Sequence, residues 1–401
     1  MAASRAATAP ANSLSKKSKF RLFSVSNGFD MPFFLILMLV LVVGLVCLYS
    51  ASYAYSYYQN NGDSYYFIKR QIIFAVLGVG IMLVASTIDY HIYHKFAIPL
   101  MIVSIILLVV ALFIPSKTGI HRWIPVPVIG QFQPSEVAKF ALILLFAHLI
   151  SINHKKMKTF TIGFLPFIIM LGLVCGLVFL EPHLSGTMLL LAIGLVMMYV
   201  GGTRYGYLLA VIGLGVAAVV YMVFFKGYEQ ERMDVWVDPL GVYNSDVVYE
   251  GNITGRDAAW QTVQSLYAIG SGGLMGQGLG NSRQKHLFLP EPQNDFIFSV
   301  ICEELGLVGA ILVIVLFGLL VWRGFMIGMK ASDKFGSLLA IGLTAQIGIQ
   351  AALNMAVVTN TIPNTGISLP FFSYGGTSLV MLLAQMGVVL SVSRNVKMEK
   401  S

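Results

Sequence analysis

MPFFLILMLVLVVGLVCLYSASY, residues 31–53, carries no charged side chain over 23 positions. Coiled as an α-helix at about 1.5 Å per residue, it spans the ~30 Å hydrocarbon core of a bilayer. It is too long for the core of a signal peptide and lacks a convincing cleavage site, so it reads as a retained first membrane helix. Nine more apolar runs follow, at 69–88, 95–114, 135–152, 162–180, 184–201, 205–225, 296–322, 335–358 and 369–393. They are continuous, whereas a membrane barrel would show short alternating segments. With 57% hydrophobic and 11% charged residues, the chain is no soluble globule. The expected fold is all-α and polytopic, with about ten transmembrane helices. Residues 1–29, rich in Ala, Ser and Lys, read as a disordered cytoplasmic segment, 30–395 as the membrane domain and 396–401 as a cytoplasmic tail.

The net charge of +8 is spread along the chain. If the N-terminus is inside, the inner segments hold Lys16, Lys17, Lys19, Arg21, Lys155, Lys156, Arg323, Lys330 and Arg394 among others. The short outer loops hold only Lys69, Arg70, Lys117 and Arg122. The positive-inside rule therefore places both termini in the cytoplasm, and no nucleic-acid patch is needed to explain the basicity. Cys47, Cys175 and Cys302 all fall within apolar runs without metal-ligand spacing and read as small buried hydrophobes. The seven histidines show no zinc-type spacing either.

Inner turns such as DYHIYHK (89–95) leave little room for chemistry, whereas the outer side is elaborate. Residues 115–134 hold four prolines and Trp123. Residues 226–295 form a large extracellular loop between the seventh and eighth helices, and loops of that length are usually functional. Within it, Val263, Leu266, Tyr267, Ile269 and Leu274 suggest a short amphipathic helix lying on the membrane surface. The glycines at 272, 273, 276, 278 and 280 allow tight turns, and a phosphate cradle is conceivable without any further P-loop feature. The segment TNTIPNTGISLPFFSYGG (359–376) carries Pro and Gly toward the last helix. Such backbone is tolerated at depth only where it is buried in protein or lines a wet cavity.

Several polar residues carry two readings each. Lys139 stands about one turn into the fourth helix, with Ser135 a candidate N-cap. Glu136, three residues away, can pair with it structurally, or Lys139 can hold a phosphate from a wet cleft. Arg122 and Trp123 either anchor the loop at the lipid headgroups or, through Arg122, clamp a diphosphate. In LPEPQNDFIF (289–298), Asp295 can cap the eighth helix, a role Asn294 could fill instead, or it can sit at the mouth of a polar cleft. Glu303 and Glu304, roughly 12 Å deeper, must be neutral, paired or wet. Gln346, Gln350 and Asn354 form a stripe best suited to interhelical hydrogen bonds, and Gln385 sits mid-span in the last helix.

QPSEVAKF (133–140), QSLYAIGSGGLMGQGLGNSRQKHLFLPEPQNDFIFSVICEELGLVG (264–309) and PNTGISLPFFSYGGTS (363–378) resemble the SEDS family, the shape, elongation, division and sporulation proteins of bacteria. The resemblance extends over nearly all of the chain after residue 30 and is greatest to the division branch of Gram-positive type. It implies a peptidoglycan glycosyltransferase that polymerises lipid II on the outer face of the cytoplasmic membrane, at the division septum. It puts the catalytic role on Asp295. Substrate-binding roles fall on Arg122, Lys139, Gln264, Lys285, Ser373, Tyr374, Gly375 and Gly376, with Glu136, Glu303 and Glu304 as supporting polar groups. Where many members have Pro-Asp, this chain reads EPHLSGT, so His183 replaces the acid.

The expected mechanism makes Asp295 a general base for an inverting transfer. Arg122 and Lys139 would stabilise the departing undecaprenyl diphosphate, with or without a divalent cation (Mg or Mn). No protein-bound metal site is expected. The resemblance also implies a class B penicillin-binding transpeptidase and other division proteins as partners. Two rival readings are a flippase for a lipid-linked saccharide, whose site would lie near the midplane, and a scaffold that only recruits the transpeptidase.

Overall fold

The structure is a computed structural model that describes residues 28–114, 122–126, 130–181, 184–226, 230–249 and 252–395. The expected disordered N-terminus, the C-terminal tail and His183 lie outside the described residues, apart from Gly28 and Phe29.

Helix α1 (Met31–Gln59) begins where Asp30 accepts the Phe33 amide and Pro32 occupies the first turn. Asp30 also takes two hydrogen bonds from Arg323, at 3.0 and 2.8 Å, which ties the start of the first helix to the end of a later one. Helices α2 (Tyr66–Thr87), α3 (His91–Phe113) and α4 (Pro134–Asn153) follow. Ser135 does not cap α4. Its N-cap is Gln133, without a side-chain bond, because Pro134 with its fixed φ already sets the first turn.

A short helix α5 (Phe160–Gly163) leads into α6 (Leu165–Leu180), and α7 (Leu184–Val200) and α8 (Tyr205–Lys226) complete the first half. The second half contains α12 (Ile297–Met329), α13 (Lys334–Val358) and α14 (Gly376–Arg394). Among the described residues, eight spans are long and apolar enough to cross a bilayer: α1 to α4, α5 with α6, and α12 to α14. The two remaining expected spans are the apolar helices α7 and α8. At 17 residues α7 reaches only about 26 Å, so the count of ten rests on the apolar pattern.

The spans divide into two classes. Helix α4 is mostly buried by other helices, as are α13 and α14, whereas α2 and α3 leave most of their surface to lipid. Small residues bring the helices close: a Cβ on Gly387 of α14 would stand 2.4 Å from the Met82 carbonyl of α2. Such packing is how helices associate where lipid removes the hydrophobic drive.

The outer loops are more ordered than the sequence suggests. Residues Ile124–Val126 (β1) pair antiparallel with Gly130–Phe132 (β2), so the proline-rich loop holds a small hairpin. The large loop contains α9 (Gln230–Val237), α10 (Pro239–Tyr243), the two-residue strands β3 (Val248–Tyr249) and β4 (Ile253–Thr254), and α11 (Gly255–Gly272). Helix α11 docks on protein through small and polar residues. Ala259, Val263, Ser265 and Ala268 are buried, and Ser265 Oγ donates to the Val358 carbonyl at 2.9 Å. Of the five apolar residues expected on its face, Val263 is buried, Leu266 and Ile269 are partly buried, and Tyr267 and Leu274 are exposed.

The glycine run serves a helix break rather than a phosphate. Helix α12 is interrupted at Gly306, whose φ of 67° an L side chain rarely adopts. The freed backbone groups are taken up by the glycine-rich turn. Gln277 and Gly278 amides donate to the Glu303 and Glu304 carbonyls (3.0 and 2.9 Å), and the Leu307 amide donates to Gly273 (2.9 Å). A Cβ on Gly276 would fall 2.2 Å from the Glu304 carbonyl oxygen, so no larger residue fits this stitch.

The last helix starts later than its apolar run, at Gly376 instead of 369. Residues 369–375 are non-helical and largely buried, with Leu369, Phe371 and Phe372 at most 2% exposed. Burial in protein is the condition that permits such backbone at this depth.

Candidate active site

Asp295 does not cap α12. The helix begins at Ile297 with Phe296 as N-cap and no side-chain cap bond, so the carboxylate is left for another use. Its position is fixed through the backbone: Asn354 Nδ2 of α13 donates to the Asp295 carbonyl (2.7 Å) and to the Ile367 carbonyl (2.6 Å). The residues just before it are held by the SYGG turn. Ser373 Oγ donates to the Asn294 carbonyl (2.7 Å) while accepting the Leu369 amide (2.8 Å), and the Tyr374 amide donates to Gln293 (2.8 Å). Ser373 is buried and lies outside the cleft lining, so its part is to shape the turn.

The Asp295 side chain opens into a cavity of about 460 Å³, within the range of small-molecule sites. Lys139, Glu136, Arg122, Tyr374, Gly375 and Gly376 line it as well. The sequence reading did not single out Arg70, Gln350, Ser368, Gly366 or Glu291 for this site, yet they complete the wall. Arg70 was visible only as one of few outer-loop cations, and Gln350 only as part of a polar stripe.

No described residue donates a hydrogen bond to the Asp295 carboxylate. The residue is only partly exposed, at the cavity, and the protein packed around it strips water from the carboxylate. This desolvation pushes its pKa up to about 6, with Arg122 opposing the rise and Glu291 adding to it. Arg122 also faces Glu181, a fully buried acid at the end of α6 whose two oxygens have no hydrogen-bond partner among the described residues. Burial raises Glu181 to about 8, again against the pull of Arg122. Arg122 Nε is itself buried without a partner among the described residues, which leaves a donor available to an anion.

Lys139 Nζ lies 2.7 Å from Glu136 Oε1 and 3.4 Å from Gln350 Oε1. Gln350 Nε2 in turn donates to the Ser368 carbonyl at 3.0 Å. Both members of the ion pair are 5% exposed or less, and Glu136 Oε2 has no partner among the described residues. The pair thus forms as expected and still faces the cleft. Gln350, through Lys139 of α4, makes the interhelical hydrogen bond expected of the stripe, whereas Asn354 bonds backbone carbonyls outside the helices, and Gln346 and Gln385 have no side-chain partners among the described residues.

Four candidates, Lys285, Glu303, Glu304 and Gln264, are placed elsewhere. Lys285 is 1% exposed and fully engaged with Glu304 Oε1 (2.8 Å), the Gly280 carbonyl (2.7 Å) and Ser50 Oγ (3.4 Å). Glu303 accepts the Ser282 hydroxyl and the Arg283 amide (2.9 Å). Of these two acids, expected to be neutral, paired or wet, Glu304 is paired with Lys285 and Glu303 is held by hydroxyl and amide donors, and together they lock the glycine-rich turn to α12. Gln264 is buried in α11, outside the cleft lining. An ammonium with all its protons spent inside protein cannot also hold substrate, which is why Lys285 is no cleft residue.

Gly366 and Gly376 are required by geometry. Gly366 has φ +64°, and a Cβ there would stand 3.1 Å from Asp295 Oδ2; on Gly376 it would meet the Phe74 ring at 2.2 Å.

The family model FTSW_RODA_SPOVE, a cell cycle protein family, matches residues 30–398. The chain is 39% identical over 376 residues to a "Probable peptidoglycan glycosyltransferase FtsW" of Trichlorobacter lovleyi, covering 92% of this chain and 94% of that one. It is likewise 39% identical over 378 residues to the "Stage V sporulation protein E" of Bacillus subtilis, covering 91% and 97%. Among solved structures, it matches a chain from "Structural coordination of polymerization and crosslinking by a peptidoglycan synthase complex" with TM-score 0.73 and 25% identity, covering 92% and 99%. The rod shape determining protein RodA of Thermus thermophilus matches with TM-score 0.66 and 25% identity, covering 92% and 98%.

Proposed function

The chain belongs to the FtsW/RodA/SpoVE family, and from that membership we propose how its outer cleft does the family's work. The protein is a multi-pass membrane peptidoglycan glycosyltransferase. Its substrate is lipid II and Asp295 is the general base. The 4-hydroxyl oxygen of the acceptor's N-acetylglucosamine attacks C1 of the donor's N-acetylmuramic acid while its proton passes to Asp295. The C1–O bond to the lipid diphosphate breaks, and the leaving group departs with the electron pair. Attack opposite the leaving group inverts α to β.

The observation that carries this reading is an uncapped, unbonded carboxylate with a pKa pushed up to about 6, set in a cleft that also holds Arg70, Arg122 and Lys139. A base of that strength is largely ionised at neutral pH yet accepts a proton readily. Arg122, whose Nε has no partner among the described residues, and Lys139 supply charge to the departing diphosphate. A divalent cation is part of the proposal. Among the described residues no cluster of three or more His, Cys, Asp or Glu could hold a metal ion, so substrate phosphates would carry most of its coordination, with the free oxygen of Glu136 the carboxylate that would join them and Asp295 left free to act as base. Its test is EDTA treatment followed by Mg or Mn titration.

A class B penicillin-binding transpeptidase is the proposed partner, supported by the likeness to a chain of a peptidoglycan synthase complex. Action at the division septum is proposed too, and a fluorescent fusion that fails to gather there would remove it. The reaction is tested on purified protein with its partner. Wild type is expected to convert lipid II to glycan strands, and Asp295→Asn to lose at least about 100-fold in rate. Strand synthesis by Asp295→Asn at the wild-type rate would end the base assignment.

A further inference from the structure

A second outer basin, of about 430 Å³, adjoins the cleft and shares Arg122 and Gly366 with it. Its far wall comes from α9 and α11 of the large loop, and its floor from the segment after α13. The loop that supplies this wall is thereby given a task that Asp295 chemistry alone does not require.

The basin's chemistry is that of a sugar site. Trp236 offers a partly exposed indole, a flat apolar surface with a polar edge. Around it stand the side-chain amides of Gln261, Asn360 and Asn364, groups that both donate and accept. These amides are pre-positioned: Asn360 Nδ2 donates to the Trp236 carbonyl (3.1 Å), and Asn364 Nδ2 donates to Gln261 Oε1 (3.3 Å). Arg232 Nη1 holds the Asn364 carbonyl at 3.3 Å. The basin's two acids, Glu231 and Asp257, balance the guanidinium groups of Arg122 and Arg232. No net charge is selected, which fits hydroxyl and acetamido groups better than a diphosphate.

Gly366 lies on the wall that basin and cleft share. A Cβ there would stand 3.1 Å from Asp295 Oδ2, so the basin abuts the carboxylate across a gap that only glycine leaves. Ser185 Oγ holds the Gly366 carbonyl at 3.2 Å and keeps this gap in place.

We propose that the basin of Trp236, Gln261, Asn360 and Asn364 binds the lipid-free part of a β-linked amino-sugar strand, and so holds the polymer while its end lies at Asp295. The inference rests on the glycosyltransferase reading for its ligand class, but binding can be tested apart from catalysis. The probe is a soluble, lipid-free oligomer of alternating β-linked N-acetylglucosamine and N-acetylmuramic acid. It is titrated calorimetrically into the full chain in nanodiscs, and strand length from lipid II is measured in parallel. Wild type and Asp295→Asn should bind the oligomer alike. Trp236→Ala and Gln261→Ala should bind about tenfold more weakly. Their strands should be shorter, with the rate of the first linkage unchanged. Trp236→Phe, which keeps a flat ring, should restore most of the binding, as a misfolded chain would not. A wild type that ignores the oligomer, or Ala variants that bind and elongate like wild type, would overturn the proposal. Binding by a wild type that makes no strands would uphold the basin and overturn the enzymatic reading.

Discussion

Two lysine–glutamate pairs, Lys285–Glu304 and Lys139–Glu136, are alike in chemistry, separation and burial, at 2.8 and 2.7 Å and with every member 5% exposed or less. Their surroundings differ. Around Lys285 every ammonium proton has an acceptor, and Glu304 also takes the Ser50 hydroxyl. Around Lys139 one carboxylate oxygen of Glu136 lacks a partner among the described residues and the cavity begins. A closed pair holds structure together, while an open pair keeps interaction capacity for something that arrives. Burial alone does not tell them apart; hydrogen-bond saturation does.

Breaking the closed pair should have the largest effect on folding. Lys285→Met strands Glu304 in a dry site and is expected to cost about 3–5 kcal/mol, read as a lowered Tm in detergent. Lys285→Met with Glu304→Gln should regain part of that loss. If the single variant melted like wild type, the contrast between the pairs would fail.

The open pair should show the reverse balance. Lys139→Met leaves Glu136 facing a wet cleft, where it can protonate or hydrate. It should therefore melt close to wild type while losing about 10²–10³ in strand synthesis, equivalent to roughly 3–4 kcal/mol of transition-state stabilisation. Equal losses of stability and rate would instead make Lys139 a structural residue.

A third outcome concerns pH. Asp295 must be ionised to act as base, and its pKa lies at about 6. Activity should accordingly fall as pH drops through about 6, on a limb that no lipid-facing residue variant shifts. The same shift has a sign for stability. The folded pKa is raised, so the folded state is favoured while the group is protonated, and ionisation costs stability as pH rises from about 4 to about 6. Asp295→Asn should thus raise Tm by about 2 °C or more at pH 7.5, with the gain vanishing toward pH 4.

The smallest effect is expected at Gly366. Gly366→Ala adds a methyl 3.1 Å from Asp295 Oδ2 on left-handed backbone. It should cost about 1 kcal/mol in stability and slow strand synthesis by more than that strain explains. A rate lowered no more than folding would show that the gap beside Asp295 is unused.

Much of this molecule was legible in advance, for reasons that differ by residue. Asp295, Lys139 and Arg122 stood out because charge beside long apolar runs is costly enough to need a purpose. Lys285, given a substrate-binding role by the family resemblance, lies outside the cleft, since a sequence shows a charge but not whether a partner meets it. Ser135 and Gln264 carry the same lesson for polar residues. The glycines of 272–280 were expected to allow tight turns, which they form, with a phosphate cradle as the further reading. Instead of a phosphate they fit a break at Gly306, some 30 residues away in the chain, whose unusual φ has no local signature.

By itself the sequence determined that this chain is a bundle of membrane helices and which acid to test first. Hydropathy over about 20 residues is a property of the chain that no tertiary contact can reverse. Tertiary structure alone decided which of two like ion pairs is closed, that Asp295 is no cap, and that Arg70, Gln350 and Gly366 meet it at one cleft. Those outcomes depend on donors and acceptors brought together from helices far apart in the chain, as when Asn354 of α13 fixes the backbone at Asp295.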